Sequence, residues 1–249
     1  MMKPFILEPQ SIRHYLTNAQ TIAETIMFAC CSNQHWKSIF INYLQQIFLP
    51  MIALAFVTYL WMDWEQFLNQ EQTTIAEKLS LGLKTFSAIF TIISIALRLS
   101  NVALAAAPYC SLIGFVFGIV NFFANFLSSY SKIQDKTLTQ DEQISLQQQQ
   151  AKELLLMANL NLFFCAVLFT SLLPSFPLLA TAFSLSASSS ALLHTVWNNS
   201  TSTFKQSVKS QFGFDKADYG RFWKTPQHSP AKNEDALDPR CFHEHLVVT

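Results

Sequence analysis

The sequence predicts an all-α fold: a polytopic transmembrane helical bundle of four or five spans, with two tight hairpins and an amphipathic N-terminal helix. Three observations carry that prediction. Charged residues make up 13% of the 249-residue chain, against about 25% in a typical soluble domain. The charges are segregated: 7 of the 16 Lys/Arg follow Trp197, and none of Lys, Arg, Asp or Glu occurs between Leu154 and Phe204. The uncharged stretches also have the length of a membrane crossing, since a bilayer core about 30 Å thick takes roughly 20 helical residues.

The chain divides into three regions. Residues 1–37 form the amphipathic N-terminal region, and 38–197 the transmembrane domain, with spans near 43–62, 85–106, 110–129, 154–173 and 178–197. Residues 198–249 form a polar, partly disordered cytosolic tail. Charges run through the first two dozen residues without a clean apolar core, so no cleavable signal peptide is expected. Ile12, Tyr15, Leu16, Ala19, Ile22, Ile26 and Cys30 recur at helical spacing. They predict a helix that lies on the membrane surface or packs on a neighbour.

Ser38–Met62 is uncharged and carries Pro50 near its middle. Trp61 and Trp64 flank its end like an interfacial belt, which favours a true span over a segment that enters only partway. The next apolar region suits two spans, with the turn at Arg98–Asn101 or at Ala107–Tyr109; the second gives the more even pair, 85–106 and 110–129. Thr139-Gln-Asp-Glu142 is a capping-box pattern, opening a helix that runs through Gln147–Gln150 into the fourth span. The fourth and fifth spans are separated only by PSFP, with Pro174 and Pro177 at a hairpin apex. A soluble helix would show a charged face; neither of these does. The fifth span is Ser-rich and inserts as the fourth's partner. Five spans place 12 Lys/Arg on the tail's side and 4 opposite, so the tail is cytosolic by the positive-inside rule.

Ser87, Thr91, Ser94, Arg98 and Asn101 in the second span recur at steps of three and four, as do Ser111, Gly114, Gly118, Asn121 and Asn125 in the third. That spacing is the seam of a left-handed helix pair, and the GxxxG of Gly114 and Gly118 allows close approach. The two faces read as packing between antiparallel neighbours, or as a pathway for an ion or small solute with Arg98 as its charged element. No acidic residue lies inside an expected span, so Arg98 is expected to snorkel to the interface. Ala180, Ser184 and Ser188 form a small-residue face expected against the fourth span, with a homo-oligomer contact as the alternative. His194 is expected at the interface.

Cys30 and Cys31 are juxtamembrane candidates for acylation. Five scattered cysteines do not form a disulfide framework. Cys241, His243 and His245 alternate, so an extended segment would project all three to one side; a fourth ligand is missing, and no metal is expected. The zero net charge argues against a nucleic-acid partner. No nucleotide loop, nucleophile triad, HExxH helix or catalytic carboxylate pair is present. Neither a cofactor nor an enzymatic role is expected, and the expected partners are the lipid bilayer and proteins that dock on the tail.

Two bilobed hydrophobic hairpins, 85–129 and 154–197, occur without a signal peptide. The tail ends NEDALDPRCFHEHLVVT, with clustered acids and an apolar Leu246–Val248. In these features the chain resembles the membrane-inserted secreted effectors of intracellular bacteria, such as chlamydial inclusion-membrane proteins and vacuole-targeted type IV effectors. The resemblance implies a non-enzymatic protein in a host vacuole membrane that presents cytosolic segments to partners. The alternative is a small transporter or channel subunit in a bacterial inner membrane, using the polar faces of the second and third spans.

Overall fold

The computed structural model describes residues 9–70, 73–133 and 138–214. The candidate set Cys241, His243 and His245 and most of the expected tail lie outside them. Among the described residues there are helices and turns but no strand.

Reciprocal side-chain caps set two of the helix starts. Thr74 and Thr139 accept hydrogen bonds from the backbone N–H of Glu77 and Glu142, whose carboxylates accept from the cap N–H in return, each at 2.8 Å. These capping boxes open α4 and α6, and each cap contributes about 1 kcal/mol. In chain order the helices are α1 (Pro9–Cys31), α2 (Gln34–Ile39), α3 (Gln45–Leu68), α4 (Ile75–Leu99), α5 (Ala107–Ile133), α6 (Gln140–Val167), α7 (Pro177–Asn199) and α8 (Ser202–Gln211). Two π-helical segments, Phe40–Leu44 and Leu168–Leu172, join α2 to α3 and extend α6.

One boundary corrects the expected spans, and the second hairpin falls where the proline pair places it. α4 stops at Leu99, not near 106, because Asn101 and Ala103 adopt left-handed φ values of 53° and 48° that a right-handed helix cannot continue. The turn is therefore Ser100–Ala106, between the two expected positions, and Asn101 leaves the α4 face. At the second hairpin Pro174 closes the π-helical extension, and Pro177 occupies the start of α7, where its missing N–H costs no intrahelical bond.

Each long helix packs on its neighbours in an order that closes on itself: α1 on α3, α3 on α4, α4 on α5, α5 on α6, α6 on α7, and α7 back on α1. α1 is a full member of this ring. Ser188 Oγ donates to the Thr25 carbonyl at 2.9 Å, Thr195 Oγ1 to Thr21 Oγ1 at 2.7 Å, and Thr181 Oγ1 to the Ser32 carbonyl at 3.1 Å. These contacts run antiparallel along the C-terminal half of α1 and most of α7. The small-residue face of α7, with Ser184, Ala187, Ser188 and Ala191 buried, thus serves α1 as well as the expected α6. Of the two expectations for α1, packing on a neighbour is the one that the contacts with α3 and α7 show.

Four helical segments are long and apolar enough to cross a bilayer: His35–Leu68, Ile75–Leu99, Ala107–Ile133 and Gln140–Leu172. The chain is accordingly a multi-pass integral membrane protein. α1 and α7, at 23 residues each, are about 35 Å long and complete the ring beside these four. Large apolar side chains face outward from all six helices, among them Ile22, Leu54, Ile89, Val120, Leu155 and Leu192. Lipid tails solvate such a surface, whereas on a water-soluble protein it would be an aggregation site.

Candidate site: a polar cavity inside the helix ring

The polar stripes of α1, α4 and α5 point the other way. A cavity of about 800 Å³ runs inside the ring, lined by all six long helices. This volume lies within the range of small-molecule sites, about 300–1,000 Å³. α1 supplies Arg13, Thr17, Gln20, Thr21 and Glu24, a single stripe at helical spacing. Its apolar stripe faces out, with Tyr15 65% exposed. The amphipathic pattern is that of a lipid-facing helix whose wet side is internal.

At one end of the cavity Asp63 of α3 joins three helices. Its carboxylate accepts from Arg13 of α1 at 3.3 Å and from Lys84 of α4 at 2.9 Å. Tyr59 OH donates to Thr17 Oγ1 at 2.8 Å, and the Arg13 guanidinium lies 5.9 Å from the Tyr59 ring centroid. Lys152, Glu153, His194 and Asn198 line the same end. Glu24 also faces the cavity, accepting from Gln20 Nε2 at 2.7 Å. His194 thus borders the cavity.

The sequence-identified faces of α4 and α5 meet along their length. Ser94 Oγ donates to the Ala107 carbonyl at 2.7 Å and lies 2.6 Å from Ser111 Oγ. Ser87 Oγ donates to the Gly114 carbonyl at 2.8 Å, and Ser80 Oγ to Asn121 Oδ1 at 2.8 Å. A Cβ on Gly114 would come within 2.8 Å of Thr91 Oγ1 and 3.1 Å of the Ser87 carbonyl. On Gly118 it would meet Leu160 Cδ1 of α6 at 2.7 Å. Ser87, Thr91, Ser94, Ser111, Gly118, Asn121 and Asn125 also border the cavity, so one stripe serves both packing and lining.

Arg98 turns into the cavity instead of outward to the lipid interface, since the ring offers it an interior polar surface at closer reach. Lys37, from α2, enters from the same end and donates to the Thr170 carbonyl at 2.9 Å. Pro174 explains that bond. It has no N–H, so the Thr170 carbonyl four residues earlier lacks its α-helical donor, and the Lys37 ammonium takes the place. Cys31 also lines this end, within electrostatic reach of both Lys37 and Arg98.

The sequence reading missed four participants: Glu24, Lys37, Glu153 and the buried glutamines of α6. Gln143, Gln147 and Gln150 are buried, and neither polar atom of the Gln147 side chain has a hydrogen-bond partner. Their spacing of four and three was the available signal for a packed face. Compared with family models, curated proteins and solved structures, the chain matches none.

Proposed function

We propose that this integral membrane protein is a small-solute transporter, taking a polar solute into the cavity between its six long helices. The observation that carries the reading is one cavity shared by all six long helices, its largely apolar wall set with charged and hydroxyl-bearing side chains of α1, α4 and α5 and a few polar groups from α3, α6 and α7. Ionisable side chains within membrane bundles mark solute and ion pathways. Asn159 supports it: its Oδ1 is buried without a partner on a cavity-lining residue, an acceptor free for a solute or water.

In this arrangement α1 crosses the membrane, which brings its N-terminal end to the same side as α8. Of the nine Lys/Arg among the described residues, only Lys37 and Arg98 fall toward the opposite end. The basic side is the cytosolic one by the positive-inside rule. The test is light-scattering swelling of proteoliposomes in isosmotic pentose, amino-acid and carboxylate solutions. Wild-type protein is expected to admit at least one solute faster than protein-free vesicles do. Asn159→Trp, which fills the cavity, is expected to abolish the difference while the protein stays monodisperse. Swelling equal to that of protein-free vesicles for every solute would refute transport.

A further inference from the structure

We infer that the Arg98–Lys37 end of the cavity is a binding site for a small oxyanion, a carboxylate or phosphate group carried by the solute. The inference rests on the transport reading and names its substrate class. Three independent features point to it.

The first is charge without a counter-ion. Among the described residues the two salt bridges both run to Asp63, at the other end of the cavity. Arg98 makes no hydrogen bond or ion pair there, and the Lys37 ammonium is held only by a neutral carbonyl. The chain segments that build this end, 32–44, 94–111 and 167–182, contain no Asp or Glu at all. Cations inside a membrane protein pair with an acid, a backbone carbonyl or a ligand; Lys37 has its carbonyl, whereas the protein supplies Arg98 with no acid.

The second is placement. Lys37 and Arg98 are the cations that violate the charge asymmetry of the bundle, and both turn into the cavity. A positive charge placed on the less basic side works against insertion, a cost offset when the charge binds something.

The third is the backbone. Both π-helical segments lie at this end and supply lining residues, Phe40 and Ile41 from one and Thr170 and Ser171 from the other. Such segments occur mostly at functional sites. The Thr170 carbonyl steers the Lys37 side chain, while Ser94 and Ser111 add hydroxyls near Arg98. A planar guanidinium donates a fork of N–H groups that matches carboxylate or phosphate, and the ammonium adds a point charge. The thiol of Cys31 stands beside both cations as a built-in reporter.

The experiment measures binding of radiolabelled succinate and inorganic phosphate to the full-length protein in phosphatidylcholine nanodiscs. Binding to wild type is expected, with mutual competition and no competition by methylammonium. Arg98→Gln and Lys37→Gln are each expected to weaken it about tenfold or more, the loss of a charge-assisted hydrogen bond. Arg98→Lys should retain more binding than Arg98→Gln, and Lys78→Gln, which removes a charge outside the cavity, should change nothing. Succinate should also slow maleimide labelling of Cys31 in a variant lacking the other four cysteines.

Absence of binding of either anion to wild type would overturn the inference whatever the variants do. An anionic phospholipid that co-purifies with wild type but not with Arg98→Gln, without soluble-anion binding, would also overturn it and assign the cations to a headgroup. If neutral solutes enter proteoliposomes but neither anion binds, this inference falls and transport stands. If the anions bind but nothing crosses, transport falls and the site stands.

Discussion

The three glycines on α4 and α5 give an internally controlled measure of how close the ring packs. At Gly82 a Cβ would meet nothing within 4 Å, so Gly82→Ala gains helix propensity alone and should stabilise by about 0.5–1 kcal/mol. At Gly118 the obstacle is Leu160 Cδ1 at 2.7 Å, the far end of a flexible side chain that can change rotamer. There the propensity gain and an off-rotamer cost of about 0.5–1.5 kcal/mol nearly cancel. At Gly114 two of the three close atoms belong to the α4 backbone, the Ser87 carbonyl at 3.1 Å and the Thr91 nitrogen at 3.3 Å. No side-chain motion relieves them, so α4 and α5 must separate. Overpacking of this kind costs about 1–3 kcal/mol, and separation also strains the Ser87 Oγ to Gly114 carbonyl bond of 2.8 Å, worth about 0.6 kcal/mol inside a membrane. Set against the propensity gain, Gly114→Ala should destabilise by about 1.5 kcal/mol. Reversible unfolding in mixed detergent micelles, titrated with SDS, reads all three variants in one background. The order expected is Gly82→Ala most stable, Gly118→Ala near wild type and Gly114→Ala least. Gly114→Ala as stable as Gly82→Ala would refute the close α4–α5 approach and the ring built on it.

Further expectations follow from single contacts. Asp63→Asn removes the negative charge shared by both salt bridges; because Arg13 and Lys84 are 48% and 41% exposed, the loss should be about 1 kcal/mol, smaller at high salt when followed by thermal unfolding. Gln147→Met replaces a buried amide with no partner by an apolar side chain of similar length, and should raise stability by about 1–3 kcal/mol in the same assay. Single cysteines placed at Asn18 and at Lys205 should react with a membrane-impermeant maleimide from the same side of sealed vesicles. Labelling from opposite sides would show that α1 does not cross.

Much of the helical framework is legible in the sequence because it depends on local chemistry. Uncharged runs of bilayer length, the Thr139–Glu142 capping box and the proline pair act through neighbouring backbone, and they place α3, α4, α5, α6 and the α6–α7 turn. The α4 end was less legible, since a single residue's passage into left-handed φ at Asn101 or Ala103 leaves no trace in hydropathy. The site lies further from reach. Helical spacing defines the two stripes of α1 but does not say which solvent each one meets. On a surface helix Ile22 and Tyr15 turn towards the protein or the membrane and Glu24 towards water; in a ring within lipid the same stripes reverse. Arg98 posed the same ambiguity, because a long cation reaches an interface and an interior cavity equally well. The sequence by itself determined that long uncharged helices recur, where the Thr139 capping box and the proline pair bound them, and that the chain belongs in a bilayer, since those depend on residues a few positions apart. Only the tertiary structure decided that polar side chains of six helices meet in one cavity and that Lys37, Thr170, Cys31 and Arg98 share one end of it. Those residues are separated by as many as 139 positions, and packing alone brings them together.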